Sequence, residues 1–89
     1  MYRVEIKPRA RRELDRLPGT DKGRILAALA RLADHPRPRQ SLKLSGATYR
    51  LRVGPFRIIY AIFDRDDLVL VGKIVRREKD TYERLDELF

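Results

Sequence analysis

The stretch YRLRVGPFRIIY, Tyr49 to Tyr60, crowds three arginines into a pattern suited to holding a phosphate group. Alternation along an extended chain puts Arg50 and Arg52 on one side, while Tyr49, Leu51 and Val53 take the other. Gly54-Pro55 marks a tight turn into FRIIYAIF. A two-residue loop there sets Val53 opposite Phe56, Arg52 opposite Arg57 and Arg50 opposite Ile59. Two arginines become direct cross-strand neighbours, with a third on the diagonal. Like charges so placed cost some tenths of a kcal/mol, a cost that a purely structural sheet has no reason to carry. The simplest alternative is that the three side chains only splay into solvent. The functional reading is a phosphate-binding face, since the planar guanidinium fork matches phosphate oxygens.

Other residues bear on the same chemistry. LVLVGKIV, Leu68 to Val75, ends in Arg76-Arg77, and Tyr82 comes shortly after. A phenol of ordinary pKa about 10 is a weak base, but nearby cations lower that value and so make Tyr82 a candidate proton acceptor. A packing or base-stacking tyrosine is the competing reading. Lys43 is a candidate further phosphate contact. With no Cys and one His, the chain offers no thiolate nucleophile, no disulfide and no zinc ligand set. Gly19, Gly23, Gly46, Gly54 and Gly72 are scattered, so there is no glycine-rich phosphate loop, and no Ser-His-Asp set can be built. Asp64, Asp66 and Asp67 crowd one turn, as acidic turns commonly do. Neither metal nor cofactor is expected.

Net charge is +8 with a sequence pI near 10.4, and 16 of the 21 basic residues are arginine, which points to an acidic polymer as partner. The longest apolar run, Ile58 to Phe63, is far short of the roughly 20 residues of a membrane helix. Met1 leads into a strand-like pattern and not a signal peptide. A cytoplasmic protein without a membrane partner is expected.

The elements that must position these groups emerge from periodicity. Residues 1–89 show no repeat and no linker, so a single domain is expected. YRVEIK, Tyr2 to Lys7, alternates as a strand, and Pro8 suits the first turn of a helix. Ala10, Leu14 and Leu17 make one helical stripe. Pro18-Gly19 breaks it before Thr20, a candidate N-cap for a second helix. That helix carries Ile25, Leu29 and Leu32 and ends near His35-Pro36. HPRPRQS reads as a proline-broken connection, and from Thr48 the period becomes two. His35 lies in this connection and is expected at the surface; Tyr49 and Tyr60 are expected in the core. The tail EKDTYERLDELF resumes a helical period. The expected fold is α+β: an N-terminal strand, a helical hairpin, three antiparallel strands and a short C-terminal helix, with the helices on one face of a four-stranded sheet and the arginines on the other.

The order of elements, the LKLSG segment (Leu42 to Gly46), YRLRVGPFRIIY, and an arginine pair with Tyr82 beyond it together resemble the RelE/ParE toxin superfamily, and its RelE branch in particular, over nearly the whole chain. The resemblance implies the toxin of a type II toxin-antitoxin module. Its implied activity is ribosome-dependent endoribonuclease cleavage of messenger RNA without metal, the 2′-hydroxyl attacking the adjacent phosphate. Implied partners are the ribosome, messenger RNA and a cognate acidic antitoxin, with a toxin–antitoxin heterotetramer as one assembly. By position, Arg57, one of Arg76 and Arg77, and Tyr82 would form the catalytic set, with Arg50, Arg52 and Lys43 binding RNA. Counting forward from Arg57 favours Arg77; counting back from Tyr82, and strand parity, favour Arg76. Both are retained, with Arg77 preferred. RelE carries lysines where this chain has Arg50 and Arg52. Arginine clamps phosphate but shuttles protons poorly, so proton transfer would have to move elsewhere, with Tyr82 the best candidate. Two alternatives remain: a ParE-like inhibitor of DNA gyrase, and a non-catalytic basic RNA-binding module.

Overall fold

The computed structural model describes residues 1–77 and 88–89. Tyr82 and the expected C-terminal helix lie outside the described residues. The N-terminal alternation forms β1 (Arg3–Ile6), and Pro8 opens α1 (Pro8–Asp15). Pro18 is itself the residue that caps α2 (Gly19–Leu32), its ring fixing the extended entry, so Thr20 sits inside the helix and does not cap it. Next come β2 (Ser41–Ser45), β3 (Thr48–Val53), β4 (Phe56–Phe63), a 3₁₀ turn at Asp64–Asp66 and β5 (Leu68–Arg76). Asp67 closes that turn in the left-handed region, φ 48°, which aspartate tolerates better than most residues.

The sheet has five strands in the order β1-β5-β4-β3-β2, one more than expected. The extra strand is β2, which pairs Ser41 with Leu51 and Ser45 with Thr48 through a tight Gly46-Ala47 turn. Gly46 stands there at φ 51°, a conformation that glycine adopts freely. All neighbouring strands run antiparallel except β1, which lies parallel to β5.

Strand β4 is central and buried on both faces. Its Phe56, Ile58 and Tyr60 meet Ala10 and Leu14 of α1 and Ile25, Ala28, Leu29 and Leu32 of α2 in one apolar core. Arg57, Ile59 and Ala61 therefore point to the opposite face. The helices occupy one side and the hairpin arginines the other, as the pattern predicts. Among the described residues, no helix is long and apolar enough to cross a membrane.

Candidate nucleic-acid interface

The hairpin forms in the register that its two-residue turn dictates: Val53 faces Phe56, Arg52 faces Arg57 and Arg50 faces Ile59. Gly54 takes φ 56°, the left-handed conformation that the turn requires. A Cβ at this position would also lie 2.9 Å from the Arg24 guanidinium of α2, so the turn and the helix meet closely.

On β5, a single residue decides which arginine reaches the hairpin. From Phe63↔Leu68 the register runs evenly to Tyr60↔Val71, and then Ile59 pairs with Lys73. Gly72 is the extra residue of a β-bulge, as a glycine inside a strand often signals. Without it, parity would put Arg76 on the face of Arg57. With it, Val75 faces Arg57, Phe56 faces Arg76, and the next residue, Arg77, turns to the arginine face. The Arg76 guanidinium lies over the Phe56 ring, 5.0 Å from its centroid. The choice left open between the two arginines is thus a geometric one, and the fold brings Arg77 to the hairpin. Leu88 and Phe89 lie against Gly72, where a Cβ would come within 2.8 Å of the Phe89 ring.

Two contacts fix the end of β5. The Arg77 backbone N–H donates to the Pro55 carbonyl at 2.8 Å, tying the strand end to the hairpin tip. β1 has already ended opposite Val71, which would leave the Ile74 N–H unpaired on that edge, but Glu13 of α1 accepts it at 2.9 Å.

Arg50, Arg52, Arg57 and Arg77 line one cleft of about 250 Å³. Arg57 is only 7% exposed, and its Nη1 donates to the carbonyls of Gly54 at 3.1 Å and Phe56 at 2.9 Å. These bonds hold the guanidinium plane, leaving Nε–H and the Nη2 protons for a ligand. Among the described residues no carboxylate forms an ion pair with any of the four. Four arginines are thus gathered in one cleft, Arg57 held by two backbone carbonyls, with no carboxylate paired to them among the described residues.

Lys43 does not join them. It pairs with Tyr49, so its side chain leaves from the helix-side face of the sheet. On β2, Leu42 lies opposite Arg50 on the arginine face and is 51% exposed. His35 is at the surface, as expected, and Tyr60 is in the core.

A second polar cluster, which no sequence pattern announces, sits at the far end of the hairpin. The Tyr2 hydroxyl donates to Asp64 Oδ1 at 2.6 Å, and Arg37 donates to Asp64 Oδ2 at 2.9 Å and to the Tyr49 hydroxyl at 3.1 Å. Tyr49 stacks on Tyr60, whose hydroxyl donates to the Pro36 carbonyl at 2.7 Å. The Tyr2 and Arg37 bonds hold the Asp64 carboxyl below the usual carboxylate range, and Asp64 in turn raises Tyr2 and Arg37. Burial pushes Tyr60 up to about 12. This network straps the proline-rich connection to the sheet.

Helices on one face of a five-stranded sheet and a four-arginine cleft at a hairpin tip on the other define a small basic α+β protein. Residues 4–81 match the sequence model of the ParE toxin of type II toxin-antitoxin systems, and the chain belongs to that family, within the RelE/ParE superfamily. It is 32% identical over 82 residues to RelE1 of Methanocaldococcus jannaschii, covering 86% of this chain and 91% of that one. Among solved structures it resembles a chain of the archaeal RelE–RelB complex of Pyrococcus horikoshii, with TM-score 0.77 and 29% identity over 88% of this chain and 97% of that one. It also resembles a chain of the toxin–antitoxin complex RelBE2 of Mycobacterium tuberculosis, with TM-score 0.76 and 26% identity over 85% and 98%.

Proposed function

We propose that this toxin is a ribosome-dependent endoribonuclease that cuts messenger RNA without metal and so stops translation. The observation that carries the reading is the cleft of Arg50, Arg52, Arg57 and Arg77, four cations converging without a carboxylate among the described residues. In the reaction, the 2′-oxygen attacks the adjacent phosphorus as its proton leaves. The bond to the 5′-oxygen breaks and that oxygen takes up a proton, giving a 2′,3′-cyclic phosphate and a 5′-hydroxyl end. Arg57 and Arg77 neutralise the charge on the non-bridging oxygens, while Arg50 and Arg52 hold the flanking backbone. Arginine is a poor proton acceptor, so we assign the 2′-hydroxyl proton to Tyr82. The ribosome orients the message for in-line attack, a positioning effect that a small protein cannot supply alone.

Its partner in this reading is an antitoxin. The Pyrococcus and Mycobacterium relatives were each solved in toxin–antitoxin complexes, and a surface with a net charge of +8 suits an acidic protein that orders on contact.

The match to the ParE family keeps a second reading, inhibition of DNA gyrase without RNA chemistry. Regulated expression with genome-wide mapping of messenger 5′ ends separates the two. New 5′ ends inside translated codons are expected; DNA breaks without new messenger ends would favour gyrase.

A further inference from the structure

Strand β5 carries Arg77 into the cleft along a stretch that has a neighbouring strand on one side only. β1 ends at Ile6 opposite Val71, and the Lys7 N–H closes the last rung by donating to the Val71 carbonyl at 2.9 Å. Beyond that rung the outer edge of β5 meets no strand among the described residues. Such an edge frays easily, because its N–H groups lack fixed acceptors.

The bulge at Gly72 decides which N–H groups face that edge. In an extended chain the direction of the backbone groups and the face of the side chain alternate together. Val71 turns its side chain to the core and its carbonyl to β1. After the bulge this set continues at Ile74, whose side chain is in the core and whose N–H points to the open edge. Arg77 belongs to the other set: its N–H points inward to the Pro55 carbonyl, and its side chain lines the cleft. Glu13 Oε1 accepts the Ile74 N–H at 2.9 Å. In a register without the bulge, Ile74 would turn its N–H toward β4 and this bond could not form.

Helix α1 sets Glu13 up for this bond. Ala10 and Leu14 are the buried pair that seats the helix on the core, and Glu13 flanks them with a side chain only 18% exposed. Arg9, one turn back, comes within 3.8 Å of Oε2, which leaves Oε1 to the strand. A carboxylate is a stronger acceptor for a backbone N–H than a neutral group. From this geometry we infer that Glu13 is a positioning residue for the cleft: it fixes β5 beyond the bulge and so holds Arg77 beside Arg57. Glu13 itself stays on the helix side of the sheet and acts only through the strand. Its effect on cleavage rests on the endoribonuclease reading, whereas its hold on Arg77 does not.

The test compares Glu13→Ala with Glu13→Gln, which keeps a side-chain carbonyl for the Ile74 N–H. Leu17→Ala, which thins the core packing just after α1, shows what general loosening does. Amide hydrogen exchange is read first, by NMR on the full chain without RNA. Glu13→Ala should speed exchange at both Ile74 and Arg77 about tenfold or more, the size of losing a hydrogen bond to a charged group, and leave Val69 and Val71 unchanged. Glu13→Gln should restore slow exchange at Arg77, and Leu17→Ala should speed all four amides together. On ribosomes programmed with message, Glu13→Ala should lower single-turnover cleavage about tenfold, yet add no further loss in an Arg77→Ala background, because its effect runs through that side chain. Faster exchange confined to Ile74, failure of Glu13→Gln to restore Arg77, or the same loss of cleavage with and without Arg77 would each overturn the inference. A wild-type chain that cuts no message would retire the endoribonuclease reading, and exchange at Arg77 would then decide the role of Glu13 by itself.

Discussion

The two ends of the β3–β4 hairpin treat arginine in opposite ways. At the open end, Arg37 is surrounded by partners: Asp64 takes one bond, the Tyr49 hydroxyl another, and the Tyr49 ring lies 5.4 Å below its guanidinium. At the turn end, Arg50, Arg52, Arg57 and Arg77 share a cleft without a carboxylate among the described residues, and Arg52 faces Arg57 directly. One end uses charge to fix a loop. The other sets like charges side by side, an arrangement that costs stability in general and that the proposed function would explain by a phosphate ligand. The contrast separates an arginine engaged by side-chain partners from four that have no carboxylate partner among the described residues, although both sets meet the same two strands.

Activity should show the contrast most strongly. Arg57→Ala is expected to lower single-turnover cleavage about 10²-fold or more, the order of losing one preorganised charge donor. Arg37→Ala, at the open end, should lower it far less. Comparable losses in both variants would erase the distinction between the two ends.

Salt dependence gives a smaller but more specific signal. If the turn-end arginines meet phosphates, each alanine substitution among Arg50, Arg52 and Arg77 should reduce the slope of log affinity against log salt for single-stranded RNA by about 0.7. Fluorescence anisotropy with a short RNA measures it. An unchanged slope in all three would mean that these cations do not touch the backbone.

Stability should move in opposite directions at the two ends. Arg52→Thr relieves the pairing with Arg57 and is expected to stabilise the isolated chain by a few tenths of a kcal/mol in urea unfolding. Arg37→Ala removes the partner of Asp64 and Tyr49 and should lower the melting temperature. A fall in both would mean that Arg52 has a structural role at its own end.

Alkaline pH probes the open end alone. Folding holds the Tyr60 proton up to about 12, whereas an unfolded tyrosine releases it near 10. The folded state thus binds the proton more tightly, so its stabilising effect is complete below about pH 10 and is lost as pH rises from 10 to 12. Tyr60→Phe should flatten that limb of the stability curve. Cleft variants should leave it in place.

Much of this arrangement was legible in the sequence, for local reasons. Gly54-Pro55 fixes a two-residue turn, and the turn fixes every pair from Val53↔Phe56 to Arg50↔Ile59. Helix faces could be read from spacing, with Ala10, Leu14, Ile25, Leu29 and Leu32 all buried. Strand β2 escaped because it comes after a proline-broken stretch and is only five residues long, although Leu42 and Leu44 alternate as a strand should. Strand parity failed at Arg76 because one bulged residue, Gly72, reverses the face of everything beyond it. The face of Lys43 was not legible for a similar reason, since it depends on how β2 pairs with β3. The Tyr2–Asp64–Arg37 cluster joins residues up to 62 positions apart, beyond the reach of any local pattern.

The bulge gives the central claim its most direct test, because two adjacent arginines are sent to different faces. Single-turnover cleavage of message on programmed ribosomes should be measured for Arg76→Ala and Arg77→Ala side by side. A loss of about 10²-fold or more is expected for Arg77→Ala, which empties one corner of the cleft, and a loss several-fold at most for Arg76→Ala, which uncovers the Phe56 ring. Equal losses, or the larger loss at Arg76, would contradict the claim that the four-arginine cleft holds the phosphate.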